Sequence, residues 1–495
     1  MTPTKSLSRK RFSSNFPPIL WLFLIAAFAL LWKLGAGSLA AWDEAIYAQV
    51  SKEIGQGEGW LTLHWEYMPW FEKPPLLMWI TALFYRLFGV SEFWARVPSA
   101  LSGIALIAVT YLIGKFIYGK RAGLVAAAVL LTCYHFLSFS RFGTMDVMLT
   151  LFFYLAIYAY LRLKAEHQKW WYLVWISCAL ALLVKGAGGI IAPAAIVLAL
   201  VFDKGIKAAT QSRHFWQGCL LALLIVAPWH ILMYVWYGRP FIDEYIGYHV
   251  IARATSTLEG HASGYFYYAG KLVDGFFPWC LLVPFAVVSD IRKKLKGQSR
   301  SWILLLLSAL VFGLFTMIPT RRPWYIVPVY PALATLIAAF VVSLYQAYQA
   351  RPVYRRLIAA ASVVLIIVGG LYSFVSLSLN HKPEDPVAKL ARLTQSTNPN
   401  DRDPLILFSE TEHFYAQVPL FYSNRPIRQT YAATAPVNED ARRYVNYENL
   451  ADAIQDSEKR IILHRDDAPR LATNYDIHVL AEADSLVYAT IKHKP

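Results

Sequence analysis

Ionisable residues set into strongly apolar sequence are costly to keep there, which makes them the first candidates for chemistry. Four such clusters stand out in these 495 residues. The first is Trp42-Asp43-Glu44-Ala45-Ile46-Tyr47. Adjacent carboxylates point in different directions on any regular backbone, so one can face a substrate while the other caps a helix or binds a partner. The plainer alternative is a solvated loop start with Asp43 as a helix N-cap. The second is Phe71-Glu72-Lys73-Pro74-Pro75, where a carboxylate and an ammonium locked by two prolines suit a cation and a phosphate held together. Its alternative is a surface ion pair of little energetic weight. The third is Arg141 with Asp146 between two apolar stretches, where a cap and a functional acid remain equally open. The fourth is the loop from Tyr237 to Asp274. His249 and Arg253 there are spaced i, i+4 and share one helical face. His261, Tyr265 and Tyr267 follow, and a lone His is more often structural than a ligand. Lys185-Gly186 and Arg321-Arg322-Pro323-Trp324-Tyr325 add cations that also suit interface anchoring. Neither a P-loop nor a dinucleotide fingerprint nor a convincing serine-hydrolase elbow is visible. The residue types suit an anionic, membrane-anchored substrate and a base to activate an acceptor.

The elements that must position these residues are membrane helices. Apolar residues make up 57% of the chain and charged ones only 16%, against about 25% charged in soluble domains. Uninterrupted runs such as 97–117, 122–140, 301–319 and 357–379 have the length of transmembrane helices. That excludes a repeat solenoid, a disordered chain and a disulfide-stapled secreted domain. The net charge of +15 invites a nucleic-acid reading until the charge is placed. From Asn380 onward the net is −3, so the rest carries +18, much of it in short loops and the N-terminal tail. This is the pattern of cytoplasmic loops, and no nucleic-acid partner is expected. The N-terminus looks like a signal sequence but is expected to remain as a first span, Pro18–Trp32, with its basic tail cytoplasmic. Ten further spans follow near 97–118, 122–140, 144–163, 170–184, 186–202, 214–234, 273–290, 301–319, 323–346 and 357–379. Leu76–Phe88 is apolar but short, giving 11–13 helices in all. An odd total places the C-terminus outside. The sequence thus divides into a membrane domain, 1–379, with outer loops near 35–75 and 237–273, and a soluble extracytoplasmic α/β domain, 380–495. In the latter, strands are expected at Leu405–Phe408, Arg460–Leu463 and, with a break, Ile477–Ile491, and helices near Pro386–Leu393 and Asn449–Ser457. Cys133, Cys178, Cys219 and Cys280 all fall in apolar segments and read as packing residues.

At these motifs the sequence resembles the GT-C superfamily of polyprenyl-phosphate-dependent glycosyltransferases. More narrowly it resembles the group containing the bacterial lipid A aminoarabinose transferase and the protein O-mannosyltransferases. The matching pieces are WDEAIYA at 42–48, FEKPP at 71–75, ARVPSAL at 95–101, RFGTMD at 141–146, LVKGAGG at 183–189, HVIAR at 249–253 and RRPWYIVPVYPAL at 321–333. In the tail, FYSNRP at 421–426 resembles a short element of the aminoarabinose transferases.

The resemblance implies a GT-C membrane fold in the inner membrane and inverting transfer of a sugar from a polyprenyl-phosphate donor to an extracytoplasmic acceptor. Asp43 then matches the first-loop acid that acts as catalytic base or orients the acceptor, with Asp146 the second-loop acid and Glu44 beside them. Lys73 and Arg253, with Arg321 and Arg322, take the donor phosphate. Tyr47, Tyr325, Lys185 and His261 line the substrate cavity, and Glu72 with His249 resemble ligands of a divalent metal (zinc, magnesium or manganese). The acceptor class is open among a lipid A-like glycolipid, a glycan and a protein. The rival reading is a lipid-linked sugar transporter or flippase, which would need charges along a path through the midplane.

Overall fold

The computed structural model describes residues 18–494 apart from 58, 257–263, 298–300, 381–383, 398–402, 410–416, 432–446 and 455–456. It opens with α1 (Pro18–Leu31), followed by α2 (Asp43–Gly55), a two-stranded ribbon β1–β2 (His64–Trp65, Met68–Pro69) and α3 (Leu76–Phe88). Six apolar runs have the length and composition of membrane crossings: Glu92–Tyr118, Asp146–Ala165, Trp170–Phe202, Arg213–Tyr237, Pro323–Ala347 and Pro352–Leu379. Two bent pairs, Lys120–Leu131 with Tyr134–Ser140 and Tyr267–Phe276 with Trp279–Leu295, raise the number to eight if each is one crossing.

We label Glu92–Tyr118 α4, Lys120–Leu131 α5, Tyr134–Ser140 α6, Asp146–Ala165 α7, Trp170–Lys185 α8 and Ile191–Phe202 α9. The run Trp170–Phe202 is two antiparallel helices. Lys185, ending α8, pairs with Asp146 at the start of α7, whereas Asp203, just past α9, binds Lys164 (2.6 Å) and Tyr160 (2.9 Å) near the end of α7. The chain therefore folds back at Gly186–Ile190, as the separate expectations for 170–184 and 186–202 require. Three apolar helices, α1, α3 and Trp302–Met317, are only 13–16 residues long. At ~1.5 Å per residue they fall short of the ~30 Å hydrocarbon layer. This is why fewer helices pass as full crossings than the eleven to thirteen expected. Close packing uses small residues, as membrane helices commonly do: a Cβ on Gly123 of α5 would lie 2.6 Å from the Tyr111 carbonyl of α4.

The C-terminal domain holds a six-stranded sheet in the order β5-β4-β3-β6-β8-β7. Its strands are β3 (Leu405–Ser409), β4 (Ile427–Tyr431), β5 (Tyr447–Asn449), β6 (Lys459–His464), β7 (Tyr475–Ala483) and β8 (Leu486–His493). β3, β4, β5 and β6 pair in parallel, and β8 closes antiparallel between β6 and β7. Leu405–Phe408 are all buried, as expected of a central strand covered on both faces. The expected run 477–491 is a hairpin turning at Asp484, and β4 and β5 are strands that the sequence reading omitted.

Candidate active site

Both clusters of the segment 35–75 reach one cavity of about 610 Å³. Its charged and tyrosine lining comprises Asp43, Glu44, Tyr47, Glu72, Lys73, Asp146, Lys185, Tyr245, His249, Arg253, Arg322 and Tyr325, with apolar walls from Phe139, Leu314 and Trp324 among others. Segments more than 280 residues apart in sequence thus converge.

α2 sets the two adjacent acids to opposite tasks. Glu44 is 2% exposed, and Arg96 of α4 grips it twice, Nε at 2.8 Å and Nη2 at 3.1 Å. The Ala40 and Gly143 amides also donate to it, at 2.7 and 2.9 Å. Its oxygens are occupied by these four bonds, so the catalytic expectation for Glu44 is corrected: it is an internal pin between α2, α4 and the loop before α7. Arg96, which does the gripping, was not singled out by the sequence reading. Asp43 lines the cavity and makes no hydrogen bond or ion pair with any described residue. It follows Trp42, whose φ of 69° is rare for a bulky side chain. Such strain persists only where the surroundings over-determine it, and it clusters at functional sites.

Asp146 opens α7 and is paired with Lys185, whose Nζ lies 5.2 Å from the centre of the Tyr325 ring. Lys185 is held there by the turn that follows. Gly186 has φ +55°, and a Cβ on it would stand 2.5 Å from the Tyr245 hydroxyl. Arg141 does not join Asp146. It caps α1 instead, donating to the Ala29 carbonyl (2.8 Å) and the Trp32 carbonyl (2.8 Å).

Lys73 sits 3.8 Å from Glu72 and 3.4 Å from Nδ1 of His249. Burial pulls its ammonium down to about 8, with Glu72 opposing and Arg253 adding to the shift. Tyr47 is held neutral, its phenol pushed well up by burial and by Asp43, Glu72 and Asp146. Arg322 lines the cavity with its guanidinium 5.4 Å from the Trp324 ring. Arg321 does not line it: it donates to the Thr316 carbonyl at 2.7 Å and lies 5.5 Å from the Tyr265 ring, a correction to its phosphate-binding expectation. His261 lies outside the described residues.

The expected metal position does not fit its residues. His249 Nε2 is 3.1 Å from Glu244 and 3.6 Å from Glu72, and the Lys73 ammonium supplies the positive charge beside Glu72. Among the described residues no group of three His, Cys, Asp or Glu side chains is arranged to hold a metal ion.

A family model described as dolichyl-phosphate-mannose-protein mannosyltransferase matches residues 72–232. The helical bundle with its small C-terminal sheet domain has the GT-C type of fold. ArnT from Cupriavidus metallidurans, solved with undecaprenyl phosphate bound, shares that fold at a TM-score of 0.78 over 95% of this chain and 97% of its own, with 19% identity. An Archaeoglobus fulgidus oligosaccharyltransferase in complex with Zn and sulfate matches at 0.56 over 96% and 73%, with 12% identity. By sequence the chain is 27% identical to the undecaprenyl phosphate-alpha-4-amino-4-deoxy-L-arabinose arabinosyl transferase of Pectobacterium atrosepticum over 364 residues, 70% of this chain. The match spans 63% of that relative's length.

Proposed function

We propose that this chain is an inverting glycosyltransferase that moves a sugar from a polyprenyl-phosphate donor to an extracytoplasmic acceptor, working in the inner membrane with its N-terminus cytoplasmic. The observation that supports this best is Asp43. Its carboxylate has no hydrogen bond or contact ion pair with any described residue, in a cavity whose other acids each touch a cationic partner: Asp146 with Lys185, Glu72 with Lys73, Glu44 with Arg96. The donor phosphate would lie by Lys73 and Arg253, with Arg322 on the same wall. As the bond between the sugar's anomeric carbon and the phosphate oxygen breaks, its electron pair goes to the lipid phosphate, and these cations neutralise the developing charge. The acceptor oxygen or nitrogen forms its bond to that carbon from the opposite face, and its proton passes to Asp43. One displacement inverts the configuration and needs no covalent nucleophile. The prenyl chain would lie along apolar helix surface, which accounts for the missing phosphate-binding loop.

Purified protein supplied with an undecaprenyl-phosphate-linked sugar tests this. Asp43→Asn should lower kcat ~10²–10⁴-fold, the usual worth of a general base, and leave undecaprenyl phosphate affinity unchanged. Full activity in that variant removes Asp43 from the role. Mass spectrometry of lipids and glycans from cells with and without the gene would name sugar and acceptor together.

A further inference from the structure

The motif FYSNRP at 421–426 has no place in the cavity, yet it builds the contact between the C-terminal domain and α2. The Tyr422 hydroxyl accepts from the Leu39 amide (2.8 Å) and donates to Glu92 (3.0 Å). Next to it the Asp385 amide donates to Ser38 Oγ at 3.0 Å. These bonds hold the segment just before Trp42, the residue in strained backbone that aims Asp43. At the other end of α2, Lys52 is 5% exposed, donates to the Phe421 carbonyl and stands 4.8 Å from the centre of the Phe421 ring. A buried ammonium is costly unless paired, so α2 with Lys52 in this place depends on the docked domain. Every residue of α2 from Glu44 to Ile54 is buried, and Ala45 and Ala48 belong to one buried apolar cluster with Val418 and Phe421.

We propose that the C-terminal domain is part of the catalytic unit. It positions Asp43 by clamping both ends of the segment 38–55, and Tyr422 and Lys52 are its positioning residues. Contacts on both sides of one carboxylate fix its place and tilt, and a rigid helix of about 20 Å transmits them. Reacting groups lose up to ~10²-fold in rate when misplaced by ~1 Å.

The test uses the full-length protein with Tyr422→Phe, which removes one oxygen, and Lys52→Met, which keeps the apolar stem. Both should lower kcat ~10-fold or more while KM for the donor and undecaprenyl phosphate affinity stay at wild-type values. Hydrogen exchange over residues 39–47 should quicken ~10-fold with α4 and α7 unchanged. The kinetic arm rests on the glycosyltransferase reading and the exchange arm does not. If the wild type transfers no sugar, that reading fails and the exchange result still decides this one. Unchanged exchange over 39–47 in both variants overturns the proposal. So does a loss of protection spread equally over α4 and α7, which would make the domain a general stabiliser.

Discussion

Lys73 carries a charge in the cavity that responds to pH just above neutrality. Its ammonium titrates near 8, because burial outweighs the help of Glu72, and it must be charged to hold a phosphate. Undecaprenyl phosphate affinity should therefore fall as pH rises from 7 to 9. In Lys73→Arg the guanidinium stays charged across that range and the slope should vanish. Equal slopes in both proteins would take Lys73 out of phosphate binding. Asp43, Lys73 and Asp146 were legible in the sequence because charge in apolar surroundings advertises itself. The division of labour between Asp43 and Glu44 was not. It depends on Arg96, 52 residues away, reaching only one of the two.

At the scale of elements, the same pin makes a stability prediction. Arg96 and Glu44 are both buried, so Arg96→Met strands a carboxylate and should cost about 3–5 kcal/mol. Adding Glu44→Gln removes that charge and should restore part of the loss, a coupling that a double-mutant cycle on thermal unfolding would measure. Additive losses would show the pair to be incidental. The turn between α8 and α9 gives a second prediction. Gly186→Ala meets both a left-handed backbone and the Tyr245 hydroxyl, and should cost about 1–3 kcal/mol. Tyr245→Phe should return only the part due to the collision. The antiparallel pair itself was readable from Lys185-Gly186 interrupting an apolar run. The small helix Gln417–Ser423 and strand β4 were not, since both are short and gain their burial from partners distant in the chain.

For the whole molecule, the docked domain should respond to pH. Glu66 accepts from the Ile427 amide at 2.9 Å, and burial together with Glu53 raises its carboxyl from 4.5 to about 7. A carboxyl raised on folding contributes its stability fully below the unfolded value of 4.5 and loses it as pH climbs to 7. The melting temperature of the wild type should drop between pH 5 and 8 by a contribution that Glu66→Gln lacks. The variant's advantage should therefore appear at pH 8 and shrink at pH 5. Glu53, also raised, shares that trend, whereas Lys52, lowered by burial to about 8, opposes it only at higher pH. A pH-independent difference between variant and wild type would remove Glu66 from the linkage. The two-part architecture was legible from the change in composition at Asn380, but the contacts across it join residues more than 300 apart and leave no local pattern. The domain is joined to the bundle through the helix Pro352–Leu379, in which only Gly369 and Ser373 are buried. Such a leash turns docking into an intramolecular binding event at an effective concentration on the order of millimolar. A soluble peptide copying residues 417–426 would thus have to exceed that concentration to displace the domain, however well it fits α2.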